Sequence, residues 1–136
     1  MDEIPPGLSA FLVAVQARDV TGAVAQLAEY VILESSVADE PSVGRERVAN
    51  VVAQLIDAFD EFIVTEIIPG DGHFAVVTNT RIGSTEIDGV ELIGINAEGK
   101  VASLSIHSRP LRAVVALQNR LAPALAMPVL TLAEEN

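Results

Sequence analysis

Few side chains in this sequence can do chemistry, and most are badly placed to cooperate. There is no cysteine, which excludes disulfides, zinc–thiolate sites, iron–sulfur clusters and thiol nucleophiles. The two histidines, His73 and His107, are separated in sequence and lack a paired acidic spacing, so no metal is expected. His73 follows Gly70-Asp71-Gly72 and reads as a solvated turn residue, whereas His107 alternates away from Leu104 and belongs on an outer sheet face. The glycines form neither a dinucleotide-binding nor a P-loop pattern. Glu91 stands apart. Strand alternation groups it with Gly89, Ile93 and Ile95, so that a carboxylate shares a face with apolar residues. Desolvated there, it would titrate high and act as a general acid or base, or anchor a polar ligand group. At a wet mouth of the site, or hydrogen-bonded structurally to Asn79 or Ser35, it would do no chemistry.

The elements that must hold such a group follow from periodicity. Leu8, Phe11, Leu12 and Val15 form the apolar stripe of a first helix after Pro5-Pro6-Gly7. Asp19 is a suitable N-cap for a short second helix carrying Val20, Val24 and Leu27. Tyr30 to Glu34 is a strand, with Tyr30 on the opposite parity from Val31, Leu33 and Ser35 and therefore a packing or interface residue. After a loop, Val48, Val51, Val52, Leu55, Ile56 and Phe59 make one broad face of a longer helix. Four strands with short turns follow, Phe62 to Ile68, Phe74 to Ile82, Thr85 to Ile95 and Val101 to His107, which predicts an antiparallel meander. Asp88-Gly89 is a rival turn or bulge signal inside the third of these. Pro110 starts a last helix that should reach about Pro123.

The chain has 136 residues, half of them hydrophobic, which suffices for one core and one domain, 1–124, with a tail, 125–136. The apolar part of that tail, Met127 to Leu130, is suited to packing on a neighbour, and its acidic end, Glu134-Glu135-Asn136, should fray. Net charge is −11, and the eight basic residues are scattered, so no nucleic acid and no anionic membrane is expected as a partner. The longest apolar runs are too short to span a bilayer, and the acidic, proline-bearing start is unlike a secretory signal, which points to a cytoplasmic protein.

The order helix, helix, strand, helix, four antiparallel strands resembles the cone-shaped fold of the nuclear transport factor 2-like superfamily, in its SnoaL-like (polyketide cyclase and ketosteroid isomerase-like) branch. Phe11 to Val20 resembles that family's first helix and its Asp-capped second, and Ser42-Val43-Gly44-Arg45-Glu46 its entry to the long helix. Gly89 to Val101 resembles its last hairpin, and Ile106-His107-Ser108-Arg109-Pro110-Leu111 its strand exit. The resemblance spans roughly residues 8 to 120 and implies an α+β fold: a cone-shaped, curved, mostly antiparallel sheet packed against three N-terminal helices, with a short C-terminal helix. It also implies an apolar cavity, for which Phe11, Val15, Ser35, Leu55, Phe59, Asn79, Ile93 and Ile106 are the wall candidates beside Glu91.

The family's isomerases use a tyrosine in the first helix, an aspartate base after the first strand and a protonated aspartic acid in the third long strand. Aligned to that set, this chain has Phe11, Ser35 and Glu91. Phe11 has no hydroxyl to stabilise an oxyanion, and Ser35 has no neighbouring base. An epoxide hydrolase would need an arginine between acids, but Asn79 and Gly83 flank Arg81 two residues away. Arg109, held extended before Pro110, is expected to pair with one of nineteen acidic residues rather than with an anionic ligand.

Two functions stay open. One is binding of a small hydrophobic or polycyclic molecule, with or without cofactor-free proton transfer of the cyclase, isomerase or dehydratase type at Glu91. The other is a non-catalytic dimerisation or ligand-binding module. The second face of the meander, read as carrying Val90, Leu92, Phe74, Val76 and Thr78, is too apolar for water and predicts a homodimer. An open cavity containing Glu91, rather than one filled by Phe11, Phe59 and Phe62, is what chemistry would require.

Overall fold

Ten elements make up the structure, a computed structural model that describes residues 4–133. The acidic start at Met1-Asp2-Glu3 and the end at Glu134-Glu135-Asn136 lie outside the described residues. In chain order the elements are α1 (Pro6–Gln16), α2 (Val20–Val24), β1 (Leu27–Ser35), β2 (Ser42–Val43), α3 (Arg45–Ala58), β3 (Glu61–Pro69), β4 (His73–Ile82), β5 (Thr85–Ile95), β6 (Val101–Arg109) and α4 (Leu111–Leu125).

Local chemistry accounts for most boundaries. Proline at the start of α1 sacrifices no hydrogen bond, because the first-turn amides have no helical partner. The Asp19 carboxylate accepts from the Gly22 amide at 2.9 Å and caps α2. That helix is one turn shorter than its apolar spacing predicts, and Leu27 opens β1 instead. The carbonyls at the end of α3 are covered by two arginines: Arg18 donates to those of Ile56 and Phe59, and Arg120 to that of Ala58. Cations there also complement the negative end of the helix.

The six strands form one sheet in the order β2-β1-β6-β5-β4-β3. Every neighbouring pair is antiparallel except β1 with β6. The β4–β5 register runs unbroken from His73↔Gly94 to Ile82↔Thr85, so Asp88-Gly89 is neither a turn nor a bulge. Along β4 the buried side chains are Phe74, Val76, Thr78, Thr80 and Ile82. This corrects the expected outer face. Phe74, Val76 and Thr78 point to the interior, and Val90 and Leu92 share the outer face with Ala75 and Val77. Pairing of Val76 with Glu91 and of Thr78 with Gly89 puts the even-numbered residues of β4 on the same side as the odd-numbered residues of β5.

All four helices lie on the interior side and create two apolar clusters. The larger joins α1, α2 and α3 to the sheet through Leu8, Phe11, Leu12, Val48, Val52, Ile93 and Leu104. The smaller joins α4 to the far end of β4 and β5 through Ile82, Ile87, Ala113, Leu117 and Leu121. Helix α4 runs past Pro123 to Leu125 and ends at Ala126 in a left-handed conformation (φ 54°). The chain then turns back onto α4, where Gln118 donates to the Pro128 carbonyl at 2.8 Å and Asn119 exchanges two hydrogen bonds with Leu130. The segment expected to pack on a neighbour is thus tied to its own helix.

Candidate functional site

Between the two apolar clusters the interior does not close. Phe11 and Val15 from α1, Val52, Leu55 and Ile56 from α3, and Phe59 and Phe62 beyond it form one wall of a cavity. Leu33, Ser35, Thr78, Thr80, Ile87, Gly89, Glu91, Leu104, Ile106 and Ser108 from the sheet form the opposite wall, and Leu117 of α4 closes the end. The three phenylalanines narrow the space without filling it; the rings of Phe59 and Phe62 lie 6.3 Å apart, tilted by 44°. Free volume is about 50 Å³. At ~10–15 Å³ per water on that measure, this is room for roughly three to five waters, the size of a single-ring molecule.

The polar groups on the wall are mostly hydroxyls with local duties. Thr80 donates to the Ile87 carbonyl at 3.5 Å, Ser36 donates to the Ile106 carbonyl at 3.3 Å, and Ser35 accepts from the Val37 amide at 3.4 Å. Glu91 has no such duty. The residue is half-buried, yet its Oε2 is sealed from solvent and has no hydrogen-bond partner among the described residues. Desolvation pushes its carboxyl up to about 7 from an ordinary 4.5. Among the described residues no arginine, lysine or histidine is on the cavity wall to offset the charge. Gly89, two residues away on the same face, has no room for a side chain, since a Cβ there would fall 2.7 Å from the Thr78 hydroxyl.

Arg18, Asp60 and Glu61 line an adjoining groove that shares Val15, Ile56, Phe59 and Phe62 with the cavity. Asp60 accepts from the Gly83 amide at 2.6 Å. That bond holds its carboxyl below the usual carboxylate range, against some desolvation, with help from Arg120, Arg81 and Arg18.

Of the residues singled out in the sequence, Phe11, Val15, Ser35, Leu55, Phe59, Glu91 and Ile106 meet on this cavity. Ile93 shares their face but is wholly buried in the larger cluster. Asn79 is on the other side of the sheet, and its placement on the cavity is overturned. Its side chain donates to Asp88 at 3.2 Å, because odd-numbered residues of β4 point outward. His107 is exposed and on that outer face, within 3.0 Å of Ser105, and His73 is exposed at the start of β4. Arg109 pairs with Asp88 at 3.3 Å and Arg81 with Glu61 at 3.5 Å. Thr78, expected on the outer face, lines the cavity with Thr80 and Ile87, because the even-numbered residues of β4 point inward. Leu117 had no local signal. Among the described residues no group of three or more acidic or histidine side chains is placed to hold a metal ion, and no helix is long and apolar enough to cross a membrane.

No family model and no curated protein matches the sequence. Solved structures do match. An uncharacterised protein with a cystatin-like fold from Silicibacter pomeroyi DSS-3 is 24% identical over 90% of this chain and 87% of its own, with a TM-score of 0.85. A steroid delta-isomerase from Pseudomonas aeruginosa is 21% identical over 88% of this chain and 89% of its own, with a TM-score of 0.82. A hypothetical protein of ketosteroid isomerase-like fold from Catenulispora acidiphila DSM 44928, in complex with trimethylamine, is 14% identical over 85% and 93%, with a TM-score of 0.66. At these identities the likeness is one of fold. The α+β architecture is the cystatin-like, nuclear transport factor 2-like fold that the sequence resemblance implied.

Proposed function

We propose that this nuclear transport factor 2-like fold serves here to bind a compact, largely apolar small molecule, with Glu91 addressing its one polar group. A single observation carries the reading: Glu91, one of whose carboxyl oxygens is buried without a partner among the described residues, lines a cavity that has no other ionisable side chain on its wall. Leaving a buried polar atom unpaired costs about 1–3 kcal/mol, and more for a charge, so an apolar residue in its place would stabilise the empty protein. A ligand that supplies the missing partner gives the residue a use.

The cavity volume favours a single-ring molecule; a polycyclic one requires the phenylalanine rings to swing aside. The neighbour that holds trimethylamine shows a protein of this fold with a molecule of modest size. A carboxyl titrating near 7 is also matched to proton transfer at neutral pH, which favours cofactor-free isomerase or cyclase chemistry as the second reading. With Phe11 and Ser35 in place of a tyrosine and an aspartate, the chain lacks the second proton-handling group of the family's isomerases. Binding is therefore the better supported of the two.

A homodimer through the outer sheet face belongs to the same proposal. Ile63, Ile68 and Leu92 are each 41–48% exposed there, beside Val77 and Val90. The binding test is a thermal-shift screen of single-ring and polycyclic compounds on the wild type and Glu91→Gln. A compound that stabilises the first and not the second supports the reading, whereas no compound separating them removes Glu91 from it.

A further inference from the structure

We propose that the cavity's ligand is a compact organic amine, bound as its ammonium cation with Glu91 as the counter-ion. The inference rests on the binding reading above and specifies the ligand's charge. Glu91 Oε2 is sealed from water, and among the described residues nothing donates to it or accepts from it. No side chain that α1, α3, α4, β1, β4 or β6 contributes to the wall ionises. The charged residues of the adjoining groove, Arg18, Asp60 and Glu61, already have partners in the Ile56 and Phe59 carbonyls, the Gly83 amide and Arg81. The cavity thus contains one uncompensated acid and no fixed cation.

Three kinds of polar ligand group can be weighed against that arrangement. An anion is repelled by an ionised Glu91 and by a protein of net charge −11, and meets no positive group on the wall. A neutral acceptor such as a ketone engages Glu91 only while the carboxyl retains its proton, and the wall hydroxyls of Thr78 and Ser108 offer it a hydrogen bond but leave the acid uncompensated. An ammonium ion supplies the missing opposite charge in a site where Coulomb attraction is weakly screened. Phe11, Phe59 and Phe62 line the same cavity, and the face of an aromatic ring attracts a cation. The available volume suits an amine of about seven heavy atoms.

Binding then displaces the Glu91 proton to solvent, so at pH 6 about one proton should be released per amine bound. Because only ionised Glu91 is competent, affinity should rise about 30-fold between pH 5.5 and 8.5 for an amine that stays protonated throughout. The experiment is calorimetric titration of the full chain with N-methylpiperidine and with its neutral counterpart in size, cyclohexanone. Both are measured at those two pH values in 0.5 M salt, which suppresses binding to surface carboxylates. Expected results are a rising amine affinity in the wild type, loss of the pH dependence in Glu91→Gln, and its retention in Glu91→Asp.

Cyclohexanone binding that weakens with pH, without amine binding, overturns the amine inference and leaves the cavity-binding reading intact. Amine binding that is flat with pH, or unchanged in Glu91→Gln, also overturns it by placing the amine elsewhere. Binding of neither probe, in protein whose melting curve shows it folded, overturns both readings.

Discussion

At the scale of single residues, two carboxyls give the stability profile opposite slopes. Glu91 titrates near 7 in the folded chain and near 4.5 when unfolded, so between those values the native state retains a proton that the unfolded state has lost. Stability therefore falls as pH rises from about 4.5 to about 7, by roughly 3 kcal/mol in all, and is level above. Glu91→Gln removes this slope. Relative to wild type the variant should gain most above pH 7 and little at pH 4.5, as read from denaturant midpoints across that range. Parallel profiles would mean that the carboxyl is hydrated. Asp60 acts in the other sense. Its pKa is lowered, chiefly by the Gly83 amide, so its contribution is present above the ordinary value of 3.8 and lost as pH falls through the folded value. Asp60→Asn should flatten that acid limb without touching the neutral one.

At the scale of elements, the cavity exists because α1, α3 and α4 are held apart from the sheet at fixed positions. Arg18 anchors the end of α1 to the end of α3 through the Ile56 and Phe59 carbonyls. Arg18→Ala frees those acceptors and should cost about 1 kcal/mol in a urea melt. Gly89 pairs with Thr78 of β4, and a Cβ added to it would fall 2.7 Å from the Thr78 hydroxyl. Gly89→Ala forces its methyl against the Thr78 hydroxyl and should cost about 1–3 kcal/mol while narrowing the site, so ligand affinity falls together with the melting temperature. Asn79→Ala, on the opposite face of the same strand, should leave ligand affinity unchanged; a loss there would contradict the register.

At the scale of the molecule, the proposed dimer rests on the outer sheet face. Leu92 is 45% exposed beside the half-buried Val77 and Val90. If two copies pair through it, Leu92→Arg should convert a dimer to a monomer in light scattering without unfolding the chain, because the side chain points away from both apolar clusters. A wild type that is already monomeric would remove the dimer from the proposal. The net charge of −11 acts on the same scale, and added salt should raise the melting temperature by screening self-repulsion.

How much of this was legible from sequence depended on whether the cause was local. The stripe Leu8, Phe11, Leu12, Val15, the Asp19 cap and the turns at 69–72 and 96–99 are set by neighbours within a few residues, so the order and type of the elements were readable apart from β2, two residues that are a strand only through pairing with β1. Alternation put Glu91 on a face with Gly89 and Ile93, which holds in the structure. Alternation fixes relative faces along one strand only. Which parity of β4 meets that face is decided by cross-strand register, and Val76↔Glu91 sends Asn79 outward and Thr78 inward. Leu117 reaches the cavity from α4, far along the chain, and Tyr30 is 79% exposed beside a register shift between Leu27 and Ile32. The sequence by itself determined that one carboxylate would sit among apolar residues on a strand. Only the tertiary structure decided that it has no partner, because the absence of a donor is a property of every element around it at once.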